Sequence, residues 1–419
     1  MLDLATLRSS PETILQSMAR RGLQVPVEDL AKTDARIRRL RHEADNLRAA
    51  QRSLGKEIAG LGGEEKRQAI ERAASLASRV RELNARAGEL SERFYREWHT
   101  LPNLVAPTAA DGFTEEDAQE VRRVGEIPRF SFDPVDHEML GERLDIIDTK
   151  RAAKMAGSRF GYLKGKGALL EFALINWSMN HLVAAGLVPM ITPVLVREMA
   201  LFGTGFFPGD RQQVYEIPAD ELFLAATSEI SLAAYHADEI LDPEQLPIRY
   251  AGFSSCFRRE AGTHGKDTGG IFRVHQFDKV EMFSFTRPED SSDEHERILG
   301  LEEKLVGELE IPYRVVNVAA GDLGASAAKK YDIEAWFPSW NAYREITSCS
   351  NTTDYQARRL KIRMKAQGGN RLVHTLNGTA VAVGRVIIAL LENHQQSDGS
   401  VLMPEALRPY LGFDRIDPP

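Results

Sequence analysis

The feature that most constrains the fold is a pair of heptad patterns between residues 29 and 98. In both patterns, positions spaced alternately three and four residues apart are mostly apolar, over 30–61 and again over 69–94. A glycine-rich break at residues 60–63 separates them. Two sustained heptad patterns joined by a short turn predict an antiparallel helical hairpin. With limbs of roughly 30 residues, the hairpin would form an arm about 45–50 Å long.

Charge is distributed unevenly between this hairpin and the rest of the chain. The whole chain has a formal net charge of -8, yet residues 29–98 carry 16 Lys and Arg against 12 Asp and Glu. A basic projection on an acidic body is compatible with local contacts to RNA phosphates. The candidate phosphate contacts are Arg36, Arg38, Arg39, Arg41, Arg48 and Arg52. Two other roles stay open at this point, since a helical hairpin can also pack on the body or mediate dimerisation.

Three segments divide the chain. Residues 1–100 hold the hairpin, and residues 101–134 are predicted to be a linker because prolines, glycines and acidic residues interrupt any periodicity. Residues 135–419 mix helical and strand-like patterns without regular alternation. This mixture favours an α+β fold with an antiparallel β-sheet flanked by helices over a doubly wound parallel sheet.

Element predictions in the last segment follow from local patterning. Helices are predicted over 168–186 and 383–395, and 187–196 is predicted to be extended and interrupted by prolines. The predicted strands are 249–260, 271–286, 343–351 and 374–382.

Composition limits the cellular setting. No apolar run approaches the roughly 20 residues of a membrane span, so we expect no membrane association. The start of the chain lacks the pattern of a secretory signal. The two cysteines, Cys256 and Cys349, cannot form a four-cysteine zinc site, and a structural disulfide is not expected in a chain of this size. A reducing cytoplasm is the expected location.

The strongest chemical signal lies in residues 256–283. Because strand side chains alternate between faces, we expect Arg258 and Glu260 to point the same way, and likewise Phe277, Lys279 and Glu281. A guanidinium can bind a phosphate through paired hydrogen bonds, and an aromatic ring can stack on a base. On alternation alone, a surface hairpin with cross-strand salt bridges is the favoured interpretation.

The exact string resolves this choice through a family resemblance. FRREAGTHGKDTGGIFRVHQFDKVEMF resembles motif 2 of class II aminoacyl-tRNA synthetases, in the form typical of seryl-tRNA synthetases. VPMITPVLV resembles motif 1, whose Pro193 would lie at a homodimer interface, and LNGTAVAVGRVIIALLENHQ resembles motif 3, with Arg385 as its arginine. LAATSEISLAAYH is similar to the family's serine-site loop, and YREITSCSNTTDYQARR to its metal–ATP strand. The helical hairpin is similar to the family's tRNA-binding arm.

The resemblance implies a serine–tRNA ligase that uses ATP and Mg²⁺, with L-serine and tRNA(Ser) as partners, acting as a homodimer. It implies catalytic roles for Arg258 and Arg385. The implied ATP-binding residues are Arg258, Arg259, Glu260, Val274, Phe277, Glu345, Ile346, Thr347, Ser348 and Arg385. The implied serine-binding residues are Thr227, Ser228, Glu229, Arg258, Glu281 and Thr379, and the implied metal ligands are Glu345 and Ser348.

A few positions depart from the commonest family pattern. Thr379 and Thr347 stand where serine is frequent, and Thr352 stands where cysteine is frequent. These departures leave open a specialised duplicate that resists an inhibitor or supplies seryl-tRNA to a side pathway. Two more distant alternatives are a ligase that loads an amino acid onto a carrier protein, and a non-catalytic RNA-binding protein. The carrier-protein ligases lack a full tRNA-binding arm, and a silent protein would be expected to lose residues such as Arg258 or Glu281.

Overall fold

The structure is a computed structural model that describes residues 1–262 and 269–419. It divides into two compact units, one spanning Leu2–Leu101 and the other Pro102–Pro419 together with Met1. Gly265, in the glycine-rich loop between the two strands of the motif 2 segment, lies outside the described residues.

The first unit is entirely helical in its regular structure. Its helices are α1 (Leu4–Ser9), α2 (Pro11–Arg20), α3 (Val27–Ile58) and α4 (Gly63–Trp98). The two long helices pack along their lengths as an antiparallel pair, as the heptad patterns predict. Arg41 donates to Oγ of Ser91 at 2.9 Å near the base of the pair, and Arg79 approaches Glu43 within 3.5 Å farther along.

The seam of this pair follows the predicted apolar positions. Ala44 on α3 and Leu83 and Ala87 on α4 are almost fully buried, while the charged positions between them stay exposed. Small alanine side chains allow the two backbones to approach closely. The glycine-rich turn predicted at 60–63 lies between the two helices, and α4 begins at Gly63, which adopts a positive φ of 53°.

The second unit combines a large sheet with flanking helices. Its α-helices are α5 (His137–Arg143), α6 (Thr149–Ala156), α7 (Lys166–Ala184), α8 (Glu198–Thr204), α9 (Glu229–Ala234), α10 (Ser291–Glu308), α11 (Tyr355–Leu360), α12 (Val383–Asn393) and α13 (Arg408–Leu411). Its longer strands and the sheet edges are β1 (Gln119–Val124), β4 (Val188–Ile191), β9 (Ile248–Phe257), β10 (Gln276–Thr286), β11 (Tyr313–Asn317), β12 (Lys329–Phe337), β13 (Ala342–Thr353) and β16 (His374–Ala382). The remaining short strands are β2 (Ile147–Asp148), β3 (Tyr162–Leu163), β5 (Leu195–Val196), β6 (Glu216–Ile217), β7 (Leu222–Leu224), β8 (Ile240–Leu241), β14 (Arg363–Ala366), β15 (Gly369–Leu372), β17 (Val401–Leu402) and β18 (Arg415–Ile416).

The main sheet runs in the order β1-β11-β12-β13-β16-β10-β9-β4. Every neighbouring pair is antiparallel except β4 and β9, which are parallel. This arrangement confirms the predicted antiparallel α+β fold. Helices α7, α10 and α12 pack apolar side chains against the sheet and form one continuous core with it. Burial of this extensive apolar area stabilises the sheet that carries the site.

Several strand bounds differ from their predictions. The predicted strand 374–382 matches β16, and 343–351 lies within β13, but 249–260 is too long because β9 ends at Phe257. The prediction of 271–286 also begins too early, since β10 starts at Gln276. The extended segment 187–196 forms two short strands, β4 and β5, with Pro189 inside β4 and Pro193 between the two strands.

Part of the predicted linker belongs to the sheet. Within 101–134, the strand β1 pairs with β11 and forms one edge of the main sheet. Its residues are all exposed, and they include Arg122 and Arg123. Polar, charged edge strands resemble linkers in sequence because charge protects an open edge from pairing with another chain. No helix in the described residues is long and apolar enough to cross a membrane.

Candidate active site

A cavity of about 440 Å³ lies on the face of the main sheet formed by β10, β13 and β16. Most of the residues predicted to bind ATP or serine line it. They are Thr227, Glu229, Arg258, Glu260, Val274, Phe277, Glu281, Glu345, Ile346, Thr347, Ser348, Thr379 and Arg385. Residues far apart in the sequence therefore share one concave surface, as expected of a binding site for small molecules.

The first region of the cavity combines an aromatic ring with two arginines. The guanidinium of Arg258 lies over the ring of Phe277, 5.2 Å from its centroid, and its Nε donates to the carbonyl of Ala226 at 3.3 Å. Arg273 donates from Nη1 to Oε2 of Glu260 at 2.8 Å. This region offers a flat ring, a fixed positive charge and a carboxylate acceptor, which suit a base and the phosphate next to it.

The prediction that Arg258 and Glu260 point the same way from one strand is wrong, although both residues line the cavity. The strand β9 ends one residue before Arg258, and Glu260 adopts a left-handed backbone with φ 49°. The chain therefore turns at this point instead of continuing as a strand. The positive φ is an unfavourable conformation for a residue with a side chain, and such strain is concentrated at functional sites.

The second region surrounds Glu345 with positive charge. Nη1 of Arg385 donates to the backbone carbonyl of Glu345 at 2.9 Å and lies 3.4 Å from its carboxylate. Burial alone would raise the pKa of the Glu345 carboxyl, but the charges of Lys330, Arg385 and Arg258 outweigh it and lower the pKa to about 2. Glu345 therefore stays ionised at neutral pH. Ser348, on the same strand, pairs with Asp332 of β12.

The third region is the most enclosed. Glu281 is almost fully buried, forms an ion pair with Lys279 and accepts a long hydrogen bond from Oγ1 of Thr227 at 3.5 Å. Thr379 faces Glu281 across the paired strands β10 and β16. Asn377 donates to the other Glu281 oxygen at 3.5 Å. The region is small, polar and closed, so a ligand here would have to be small and rich in hydrogen-bonding groups.

Glu229 forms the inner wall of this region. Its backbone N–H donates to Oγ1 of Thr227 at 3.2 Å, and its carboxylate accepts from Nε2 of Gln356 at 2.7 Å. Burial and the nearby charge of Glu281 raise the pKa of the Glu229 carboxyl to about 7. A buried carboxylate with an elevated pKa gains stability when a cation approaches it.

Two of the residues predicted for the site lie just outside the cavity. Ser228 is buried at the start of α9, where its hydroxyl donates to the carbonyl of Gly252 at 3.4 Å. Arg259 is exposed, and its guanidinium lies 6.0 Å from the ring centroid of Tyr215. Pro193 lies between β4 and β5, and its carbonyl accepts from Oγ of Ser231 at 2.7 Å.

The six arginines predicted on the arm are all exposed on α3. Arg38 is bonded to Asp34 at 2.9 Å, and Arg48 to Asp45 at 3.1 Å. Arg41 donates to Ser91 on the other helix. These three guanidinium groups already have partners within the arm, whereas Arg36, Arg39 and Arg52 extend from its surface.

Residue-level reasoning missed several charged and polar groups of the cavity. Arg273, Lys330, Asn377 and Asp322 all line it. Lys279 was predicted to share a face with Glu281, but no role in the site followed from that. Lys330 and Asp332 lie on one face of β12, with Nζ 2.8 Å from Oδ1. The strand also contains Lys329 and Glu334, so its charge pattern did not single out Lys330.

Comparison with known families identifies the two units. Residues 1–105 match the family described as the seryl-tRNA synthetase N-terminal domain, and residues 214–394 match the tRNA synthetase class II core domain (G, H, P, S and T). A serine–tRNA ligase from Acidothermus cellulolyticus is 52% identical, with 100% of both chains covered. The chain belongs to the seryl-tRNA synthetase family. The serine–tRNA ligase from Thermobifida fusca is 50% identical over 100% of this chain and 99% of its own.

Solved structures of seryl-tRNA synthetases have the same fold. The enzyme from Pyrococcus horikoshii, complexed with ATP, is 40% identical and has a TM-score of 0.96, with 100% of both chains covered. The cytoplasmic enzyme from Naegleria fowleri, in complex with AMP, is 32% identical with a TM-score of 0.89, over 100% of this chain and 99% of its own. The family resemblance found in the sequence is thus confirmed, and with it the enzyme class of serine–tRNA ligase.

Proposed function

We propose that this seryl-tRNA synthetase activates L-serine with ATP in the cavity on the main sheet and then transfers the seryl group to the 3′ end of tRNA(Ser). The observation that carries the proposal is the convergence of Arg258, Glu345 and Arg385 with the enclosed pocket around Glu281. Family membership supplies the reaction class, and the nucleotide complexes of two relatives support the use of ATP.

Phosphate chemistry suits the charged side of the cavity. In the first step, the serine carboxylate attacks the α-phosphorus of ATP, a phosphorus–oxygen bond forms, and pyrophosphate leaves. The carboxylate is already a nucleophile, so the step needs alignment and charge neutralisation more than a general base. Arg258 would hold the α-phosphate, Phe277 and Glu260 the adenine, and Arg385 the outer phosphates.

Mg²⁺ fits the residues beside these phosphates. Glu345 and Ser348 would hold it, and hard oxygen ligands of this kind suit a metal that keeps several waters and binds phosphate as well. Among the described residues no group of three His, Cys, Asp or Glu side chains could hold a metal by itself, which agrees with a site completed by substrate. The bound metal would neutralise phosphate charge.

The enclosed region provides a physical basis for serine selection. Glu229 and Thr227 would receive the ammonium group, and Glu281 and Thr379 would receive the hydroxyl. Alanine would leave buried polar groups unpaired, a penalty that can reach roughly 10⁴–10⁵-fold in discrimination. Threonine would have to be excluded by steric closure around its additional methyl, and Thr379 would narrow the pocket for this purpose.

We assign binding of the tRNA to residues 1–100 and catalysis to residues 135–419. The arm offers exposed arginines and a groove on α3 lined by Lys32, Arg39 and His42, which suit phosphate contacts on a structured RNA. Seryl-tRNA is consumed by protein synthesis, so we place the reaction in the cytoplasm.

A homodimer built around Pro193 also belongs to the proposal. The neighbouring edge strand β4 exposes Val188 and Ile191, the latter by 89%, and the adjoining α7 exposes Phe172 by 70%. Exposed apolar residues of this size at an unpaired sheet edge are typical of protein interfaces.

The proposed function is tested by ATP–pyrophosphate exchange with each amino acid in turn, followed by charging of total tRNA. We expect exchange with serine, at least ~10³-fold less with alanine, and charging of serine tRNAs. Exchange that responds to a different amino acid, or no charging of serine tRNAs, would contradict the proposal.

A further inference from the structure

A series of buried hydrogen bonds leads from Glu229 away from the cavity into the interior. Gln356, in α11, is fully buried and donates from Nε2 to Oε1 of Glu229 at 2.7 Å. Its Oε1 accepts from Oγ1 of Thr375 at 2.9 Å, and that hydroxyl lies 2.6 Å from Oγ1 of Thr352. Both threonines are buried as well, so the network is closed to bulk water.

The orientation of the Gln356 amide is fixed by its partners. Its Nε2 also approaches the backbone carbonyl of Thr204 at 3.2 Å. A carbonyl oxygen can only accept, so the NH₂ group must face Thr204 and Glu229 while the amide oxygen faces Thr375. The amide is therefore a dedicated donor to Glu229, and it cannot rotate without leaving buried groups unpaired.

The surroundings of Glu229 explain why such a donor matters. The charged groups that face its carboxylate are Glu281 and Lys279 from β10 and Arg258 from the end of β9. Burial and Glu281 favour the protonated form, whereas the hydrogen bond from Gln356 and the two cations favour the carboxylate. The balance is close, so the loss of one stabilising contact would change the charge of Glu229 near neutral pH.

We propose that Gln356 is a positioning residue for serine recognition, which holds Glu229 ionised and oriented toward the serine ammonium group. The inference rests on the proposed function, in which Glu229 receives that ammonium. Gln356 lies outside the cavity lining and would act only through Glu229. A protonated Glu229 has no charge to offer a cation, so serine affinity would depend on this buried amide.

The test is the pair of Michaelis constants for serine and ATP in the full-length Gln356→Met variant. Methionine keeps the side-chain volume but removes the donor. A buried hydrogen bond to a charged group stabilises that charge strongly, and the variant loses this bond to the Glu229 carboxylate. We therefore expect the KM for serine to rise at least ~10-fold at pH 7, with the KM for ATP unchanged. The increase should shrink as the pH is raised toward 8.5, because Glu229 then ionises without its donor.

Two further variants separate this role from a general effect on folding. Thr375→Val removes the hydroxyl that orients Gln356, and we expect a smaller rise in the KM for serine in the same direction. Tyr355→Phe is the matched control, because Tyr355 is also buried in α11 but its hydroxyl accepts from Arg359 at 2.6 Å, away from Glu229. This control should leave the KM for serine unchanged.

The outcomes are distinct. A folded Gln356→Met variant with an unchanged KM for serine would overturn the inference, as would equal increases for serine and ATP that no pH change relieves. If the unsubstituted chain shows no serine-dependent exchange at all, the proposed function fails instead.

Discussion

At the residue scale, Arg258 is the side chain that influences two regions of the cavity at once. It lies over Phe277, is bonded to the Ala226 carbonyl, and its charge contributes to the low pKa of Glu345. One guanidinium thus influences both the first region of the cavity, around Phe277, and the second region, around Glu345. Preorganised charge of this kind contributes most where negative charge develops during a reaction.

We predict that Arg258→Ala lowers serine-dependent pyrophosphate exchange by at least ~10²-fold, because the α-phosphate loses its positioned partner. Circular dichroism and thermal melting should show an intact fold, since Arg258 is only partly buried. Arg371→Ala is the control, an exposed arginine in the same unit that pairs with Glu289 at 3.2 Å. Near-normal exchange by Arg258→Ala would remove this residue from the reaction.

A second residue-scale prediction concerns pH. Burial and Glu281 raise the pKa of Glu229 to about 7, so this group gains a proton as the pH falls through neutrality. The proposed serine ammonium acceptor then loses its charge. In the unsubstituted enzyme, kcat/KM for serine should therefore fall about tenfold for each unit below pH 7, once serine is limiting. Steady-state exchange between pH 5.5 and 8.5 measures this, and a flat serine profile would contradict it.

At the element scale, β16 and α10 pack so closely that one additional methyl group between them should lower stability. A Cβ added at Gly378 would lie 2.4 Å from Cγ2 of Ile298 and 2.8 Å from Oε1 of the fully buried Glu302. We predict that Gly378→Ala lowers the free energy of unfolding by about 1–3 kcal/mol, as overpacking does in rigid cores. Denaturant unfolding measures the change.

Gly300→Ala in the same helix is the matched control for this contact. A Cβ at Gly300 would meet nothing within 4 Å, and alanine is the better helix former by roughly 0.5–1 kcal/mol. The two substitutions should therefore shift stability in opposite directions. A Gly378→Ala protein as stable as the parent would show that α10 and β16 can separate without cost.

The arm provides the second element-scale test. Deleting residues 31–97 and joining the ends by a short flexible linker should spare serine activation, because the cavity is built from the second unit alone. Transfer to tRNA should weaken by at least ~10²-fold, because phosphate contacts dominate RNA affinity. Aminoacylation and pyrophosphate exchange on the same preparation separate the two steps. Equal charging by the shortened chain would exclude the arm from tRNA binding.

The elements also show which parts of the fold can be predicted from sequence. The strand His374–Ala382 and the hairpin helices follow from strong periodicity, and the structure has them almost as predicted. The edge strand β1 was missed because its exposed, charged residues carry no apolar alternation. The late start of β10 could not be foreseen either, because the apolar residues Ile271 and Phe272 are buried as part of an irregular segment.

Within the candidate site, too, local sequence patterns reveal only some of the residues. The residues proposed to bind the nucleotide and serine could be named from motif resemblance, and most of them converge in one cavity. Lys330 and Gln356 could not, because their relevance depends on which distant strands and helices meet. Only the sheet order brings β12 next to β13 and so places Lys330 beside Glu345.

At the scale of the whole molecule, the two edges of the main sheet differ in a way that predicts assembly. The edge strand β1 carries three charged residues beside two exposed valines, whereas β4 at the other edge has no charged residue and exposes Ile191 and Val188. Charged edges resist pairing with another chain, and apolar edges favour it. Because one face of this kind can match a second copy of itself across a two-fold axis, a homodimer through β4 and α7 is the expected arrangement.

We predict that the double variant Ile191→Asp and Phe172→Asp is monomeric at micromolar concentration, because two buried carboxylates facing their own symmetry copies would each lack a partner. Sedimentation velocity measures the mass directly. Phe113→Asp is the control, since Phe113 is 61% exposed but precedes the strand at the charged edge, and it should leave the mass unchanged. A double variant that sediments like the parent, or a parent that is itself a monomer, would show that the apolar edge does not join two copies.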